Sequence, residues 1–106
     1  MRIVRKKATA AGVKIAYGTD IGGYDWNVAQ TEDFDFMVQY GYTPLQALQT
    51  ATINGSDLLG QPLLGEIKVG NYADIIAVAG DPTQNVQVLQ NVKWVMKDGA
   101  IYKTVK

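Results

Sequence analysis

The segment Gly12-Val13-Lys14-Ile15-Ala16-Tyr17-Gly18-Thr19-Asp20-Ile21-Gly22-Gly23 constrains this chain more than any other. Val13 to Tyr17 is short and mostly apolar, with β-branched and aromatic members, which suits a buried parallel strand. Thr19, Asp20 and the glycine pair end it. Upstream, Ile3, Val4, Ala8 and Ala11 recur at helical spacing with charge between them, so residues 2–11 read as an amphipathic helix that Gly12 stops. Helix, short loop and strand make half of a βαβ unit. A carboxylate at the carboxyl end of such a strand sits where parallel α/β folds place their chemistry. Asp20 has little company there, because the sequence holds no histidine and no cysteine.

Composition excludes several classes of function. Apolar residues make up 47% and charged residues 19% of the 106, a balance that argues against wholesale disorder. A formal net charge of zero argues against a general binder of nucleic acid or of a membrane surface. The cluster Arg2, Arg5, Lys6 and Lys7 reads as the solvated face of the first helix. Without cysteine there is neither a disulfide framework nor a thiolate metal site. No apolar run approaches the ~20 residues of a membrane-spanning helix, and no apolar segment with a cleavage site follows the basic amino terminus. The expected location is cytoplasmic.

Further along, Ile21 to Gln30 loses periodicity and reads as a loop carrying Tyr24, Asp25, Trp26 and Asn27. Thr31 can cap a helix running through Phe34, Met37, Val38 and Tyr40, with Glu32 and Asp33 in its first turn and Gly41 at its end. Thr43-Pro44 opens another helix, a cap followed by proline at the first helical position. Its apolar face is Leu45, Ala47, Leu48, Ala51 and Thr52, and Asn54-Gly55-Ser56 is expected to break or bend it. After Pro62 the character changes. Ile75-Ile76-Ala77-Val78 reads as a buried strand, Gly80-Asp81-Pro82 as a turn, and Val86 to Leu89 fits no assignment. Val92 to Met96 and Ile101-Tyr102 flank Lys97-Asp98-Gly99-Ala100, a strong hairpin signal, because Asp-Gly supplies the positive φ angles of a tight turn. The chain therefore divides near residue 61 into a helical part and a mostly antiparallel part. Neither is large enough to be comfortable alone.

Three motifs resemble the carboxyl-terminal end of the metal-dependent amidohydrolase superfamily, most closely its imidazolonepropionase-like and Xaa-Pro-dipeptidase-like branch. Gly12-Val13-Lys14-Ile15-Ala16-Tyr17-Gly18-Thr19-Asp20 is similar to the eighth strand of the family's barrel. Gly41-Tyr42-Thr43-Pro44-Leu45-Gln46-Ala47-Leu48-Gln49-Thr50-Ala51-Thr52-Ile53-Asn54 is similar to the helix that follows. Leu64-Gly65-Glu66-Ile67-Lys68-Val69-Gly70-Asn71-Tyr72-Ala73-Asp74-Ile75-Ile76, continuing through Asp81-Pro82 to Val95-Met96-Lys97-Asp98-Gly99, resembles the stretch that leaves the barrel and completes a small β-sandwich. The implied fold class is α/β. Residues 1–60 would be the end of a (β/α)8 TIM barrel, with its last strand at 13–17 and the helices after it. Residues 61–106 would be a carboxyl-terminal β-sandwich segment. The first seven barrel strands and the opening sandwich strands have no counterpart in the sequence, so the resemblance is to a fragment of the family's architecture.

The resemblance also implies a chemistry, the metal-dependent hydrolysis of C–N bonds in amides, peptides or cyclic amides. Family enzymes hold one or two divalent metals, zinc being the expected one here, through a His-x-His pair, often a lysine, further histidines and the aspartate of the eighth strand. The metal lowers the pKa of its water towards neutrality, and the carboxylate beside it accepts and returns the proton. Only Asp20 carries over, as metal ligand and proton shuttle, and then only if another chain brings the remaining ligands. A catalytic zinc takes about three protein ligands plus water, so no cofactor is expected in this chain alone. Tyr24 and Trp26 fall where the family's eighth loop borders the substrate and are candidate substrate contacts; the alternative is that they pack over the strand end. Asp25 and Asp35 are not read as a carboxylate cluster with Asp20, because Asp35 falls on the wet face of a helix.

Three functional readings remain open at this level. The chain is the terminal piece of an amidohydrolase, inactive alone; or a non-catalytic oligomeric domain with a structural or interaction role; or one half of a split amidohydrolase. A lone barrel strand leaves both edges open, so the expected partner is a second copy, in a homodimer or larger assembly, or an amino-terminal amidohydrolase segment. Nucleic acid and membrane are not expected partners.

Overall fold

The computed structural model describes residues 2–23, 25–27 and 30–105. Four helices come first: α1 (Arg2–Ala10), α2 (Glu32–Gln39), α3 (Pro44–Thr50) and α4 (Ile53–Leu59). Three strands follow, β1 (Ile75–Val78), β2 (Val92–Lys97) and β3 (Ala100–Lys103), with a 3-10 helix (Val86–Gln90) between β1 and β2. The strands form one antiparallel sheet in the order β1-β2-β3.

The helix ends show which local signals decide. Thr43 caps α3 in a reciprocal box: its hydroxyl accepts from the Gln46 N–H (3.1 Å), and the Gln46 amide oxygen accepts from the Thr43 N–H (2.9 Å). Thr31 does not cap α2. Its backbone is already helical (φ −72°, ψ −7°), and a side-chain cap needs an extended residue. Asn54-Gly55-Ser56 does not break the run either. The chain turns earlier, at Ala51 and Thr52, and the three residues lie inside α4. Tertiary bonds override their weak propensity: the Asn54 amide donates to the Ile15 carbonyl (2.9 Å), and the buried Ser56 hydroxyl donates to the Gln61 carbonyl (2.5 Å). Gly60, left-handed at φ 63°, closes α4.

The two parts of the chain share one core. Phe34, Tyr42 and Ala47 from the helical part are buried together with Val86 and Leu89 of the 3-10 helix, and Ile15, Tyr17, Met37, Leu48 and Val78 pack around them. The 3-10 helix, whose residues Val86 to Leu89 fit no assignment in the sequence, is thus the joint between helices and sheet. A second joint lies at Gly65. Its φ is +86°, and a Cβ there would stand 2.7 Å from the Thr52 carbonyl oxygen, so only glycine fits.

The sheet is thinly covered. β1, expected to be buried, has Ile75 and Val78 half-buried and Ile76 50% exposed, and all four residues of β3 are exposed. In the β2–β3 turn Asp98 and Gly99 both have positive φ (47° and 78°), as a tight hairpin turn requires. The turn is clamped from outside. The Asp74 carboxylate accepts from the Asp98 N–H (2.8 Å) and from the Lys97 ammonium (2.7 Å), and the Gly99 N–H donates to the Ala73 carbonyl (3.1 Å).

Residues 13–17 differ from the strand read in the sequence. The stretch 13–20 runs without turn or bend, but it has no strand partner among the described residues. Val13 is 56% exposed, and only Ile15, Ala16 and Tyr17 are half-buried. A ladder needs a neighbouring strand, and on the edge of Ile15 and Tyr17 the bonds go instead to Asn54 and Thr50 of the helices.

Candidate functional site

The site is built on this unladdered stretch. Four bonds hold it to the helices. The Tyr17 N–H donates to the Thr50 carbonyl (2.9 Å), and the Ile15 carbonyl accepts from Asn54. The Val13 N–H donates to the Ala8 carbonyl (3.0 Å), and the Lys14 ammonium pairs with the Asp57 carboxylate at 2.6 Å. That ion pair is more than half exposed on both sides, so it adds little stability and mainly fixes direction.

Tyr17 is the anchor. Its ring lies 4.8 Å from that of Phe34, tilted by 36°, a favourable aromatic contact. Its hydroxyl lies 2.7 Å from the Gln30 carbonyl and 3.3 Å from the Asp33 carboxylate. One proton serves one strong bond, and the shorter distance gives it to Gln30. Gln30 closes the 21–30 loop, so Tyr17 ties the far end of that loop to the stretch ending in Asp20. Beside Ile15–Gly18 opens a cleft of about 220 Å³ whose far wall is Asp33, Met37, Tyr40 and Tyr42. Sequence reading missed both the cleft and the Asn54 bond. Asn54 stood in a quoted motif, and Asp33 had been placed in the first turn of α2, but neither is near Tyr17 or Ile15 in the sequence.

Asp20 is exposed and sits in the left-handed region at φ 54°. A non-glycine residue there is uncommon, and aspartate tolerates it better than most. The Thr19 hydroxyl holds the turn by accepting from the Ile21 N–H (3.2 Å). Trp26 is 73% exposed and, like Asp20, does not line the cleft. Tyr24 lies outside the described residues, as do the side chains of Arg2, Ile3 and Arg5; Lys6 and Lys7 are exposed, as a solvated face requires. Asp35 is half-buried rather than fully wet. Its carboxylate accepts from Gln39 (3.3 Å) and from Gln87 (3.4 Å), which adds a polar link between α2 and the 3-10 helix.

Among the described residues no group of three or more histidine, cysteine, aspartate or glutamate side chains comes together as a metal site. Asp20 is one carboxylate where a bound divalent ion takes several donors, so this donor set does not fit a metal. Among the same residues no helix is long and apolar enough to cross a membrane.

A cleft beside a strand-like stretch that ends in an exposed aspartate, backed by helices and followed by an antiparallel sheet, is an arrangement with known relatives. The chain belongs to the amidohydrolase family, which its sequence matches over residues 1–105. Ochratoxinase from Aspergillus niger is 36% identical over 104 residues, which cover 91% of this chain and 21% of that protein. Among solved structures, a Xaa-Pro dipeptidase with methionine bound in its active site superposes with a TM-score of 0.87 at 40% identity, over 96% of this chain and 25% of the dipeptidase. The A. niger ochratoxinase structure superposes with a TM-score of 0.84 at 32% identity, over 97% of this chain and 24% of the other. The α/β fold is thus one that the family builds within roughly a quarter of its length, and the chain spans about a fifth of ochratoxinase.

Proposed function

We propose that this chain contributes the aspartate-bearing portion of a metal-dependent hydrolase that acts on C–N bonds of amides, peptides or cyclic amides, and that it is inactive without the remaining ligands. The observation that carries this reading is Asp20: an exposed carboxylate held in a left-handed turn at the end of the Ile15–Thr19 stretch, in a chain of the amidohydrolase family. Such a carboxylate can accept and return a proton, a role whose removal typically costs 10²–10⁴-fold in rate. Zinc is the metal we infer for the complete site, with its other ligands supplied by another chain, since this sequence holds no histidine or cysteine. Tyr24 and Trp26 are proposed substrate contacts. The sheet is proposed as part of a β-sandwich, and the cytoplasm as the location. The similarity to a Xaa-Pro dipeptidase points to substrates in which an amino acid is joined to proline through a peptide bond.

One experiment tests the proposal. The chain replaces the matching quarter of the Xaa-Pro dipeptidase, and the chimera is compared with the chain alone for zinc content by elemental analysis and for hydrolysis of a proline dipeptide. The chimera should bind zinc and turn over, Asp20→Ala in it should lose about 10²-fold or more in rate, and the chain alone should do neither. Stoichiometric zinc in the chain alone, or full activity in the Asp20→Ala chimera, overturns it.

A further inference from the structure

Asn54 is out of place by local rules and in place by tertiary ones. It is a weak helix former standing in the first turn of α4, and Thr52 before it gives that turn no side-chain cap. The residue is half-buried, and its amide reaches 39 positions back along the chain, to the Ile15 carbonyl at 2.9 Å. Two residues further along the same stretch, the Tyr17 N–H donates to the Thr50 carbonyl, also at 2.9 Å. In an extended run, residues two apart send their backbone groups to the same edge, so the two bonds lie side by side. The end of α3 thus supplies the acceptor, and the start of α4 the donor, that a neighbouring strand would supply there. Thr50 offers a backbone carbonyl, which any residue carries. Asn54 offers a side chain, so there the residue type decides. Both bonds are made within the chain.

We infer that Asn54 is a positioning residue: through the Ile15 carbonyl it sets the line of the stretch that ends in Asp20, and so the aim of the Asp20 carboxylate. The inference rests on the hydrolase reading of Asp20 and adds to it the residue that holds this carboxylate from a distance. The bonds at Ile15 and Tyr17 fix two points of the stretch, and two points fix a direction. With Tyr17 alone held by α3, the stretch could pivot there. The Lys14–Asp57 pair joins the same stretch to α4, but it is exposed on both sides and cannot replace a half-buried bond. The Asp20 turn is held by the Thr19 hydroxyl, within the same few residues, so it moves with the stretch that carries it. The chemistry of the link suits the task. A carboxamide has no charge to lose, so the bond keeps its strength while a carboxylate at the end of the stretch gains and releases a proton.

The test separates aim from stability. Asn54→Asp keeps the size of the side chain and turns its donor into an acceptor facing the Ile15 carbonyl. In the dipeptidase chimera it should lower kcat by about tenfold or more and leave KM within about twofold, because a displaced proton-transfer group costs rate and not substrate binding. Asn85→Ala is the control: it removes the side-chain cap of the 3-10 helix, so it should lower the melting temperature and leave kcat alone. In the chain alone, Asn54→Asp should speed exchange of the Tyr17 amide about fivefold and change the coupling constant that reads the φ of Asp20. An unchanged kcat in Asn54→Asp overturns the inference, as does an equal loss of kcat in Asn85→Ala. The hydrolase reading fails separately, when the unaltered chimera neither binds zinc nor turns over. The chain alone then decides, and a Tyr17 exchange rate that Asn54→Asp leaves unchanged overturns the inference. Should Asn54→Asp fail to fold, Asn54→Ser, whose side chain is one bond shorter and leaves the Ile15 carbonyl out of reach, takes the same measurements.

Discussion

Two aspartates in this molecule share a left-handed backbone and differ in everything around it. Asp98, at φ 47°, turns a hairpin whose two strands pair on either side, and Asp74 and Ala73 bind the turn from outside. Asp20, at φ 54°, follows a stretch that pairs with no strand among the described residues, and its turn is held by the Thr19 hydroxyl. The conformation of Asp98 is required by the ladder it closes. No ladder requires that of Asp20. The proposed proton-transfer role of Asp20 would give that backbone cost a reason. The same contrast separates the two parts of the chain: the sheet part accounts for its own turns, and the helical part presents a stretch with no strand partner among the described residues.

The two parts can be pulled apart experimentally, and the largest effect is expected at their joint. Leu89→Ala removes a buried side chain of the 3-10 helix and should cost about 2–5 kcal/mol. Helical far-UV signal and Trp94 emission should then melt together at the lower temperature; a sheet signal that melts separately would show that the parts do not share a core. Gly65→Ala should cost more than about 1 kcal/mol, because it combines a positive φ with a clash against the Thr52 carbonyl; a denaturant midpoint equal to that of the unaltered chain would contradict this. Asp20→Gly and Asp98→Gly should each change stability by less than about 1 kcal/mol, since glycine suits both turns. In the dipeptidase chimera only Asp20→Gly should remove activity.

The smallest effect is in pH. The Lys97 ammonium, followed by the Asp98 N–H, holds the Asp74 carboxyl below its ordinary value of 3.8, and Asp74 holds Lys97 above its ordinary 10.5. For Asp74 the unfolded chain binds the proton more readily. Its contribution is therefore full above pH 3.8 and fades as pH falls through the depressed value. For Lys97 the contribution is full below pH 10.5 and fades as pH rises through the raised value. Both groups are exposed, so the effect is local: the Asp98 amide should exchange faster at acid pH, after correction for intrinsic rates, than it does near neutrality. The Ile21 amide, bound to an uncharged threonine hydroxyl, should show no such change.

What the sequence made legible was mostly local. Thr43-Pro44 announces a helix start because the cap and the proline are adjacent, and Asp98-Gly99 announces a hairpin because two positive φ angles suffice. Asn54-Gly55-Ser56 misled for the opposite reason. Its bonds run to Ile15, 39 residues away, and to Gln61, and no local propensity encodes them. The 3-10 helix was invisible because five residues give no period to read. Asp20 was legible as a residue and not as a site, because a metal site is a set of donors and no such set comes together among the described residues. The apolar run at 13–17 had the composition of a strand, but a strand is defined by what lies beside it.

Thr50 has one more role. Its side chain is buried and its hydroxyl donates to the Ala47 carbonyl (2.6 Å), while its own carbonyl receives the Tyr17 N–H. The last turn of α3 is thus the datum from which the position of Asp20, three residues beyond Tyr17, is measured. Ala47, with no exposed surface, sits behind that datum. A bulkier residue there would lift the end of α3, carry Tyr17 with it and re-aim the carboxylate without touching it. The chain carries an adjusting screw for its one candidate catalytic group, set one turn back along the same face of the helix.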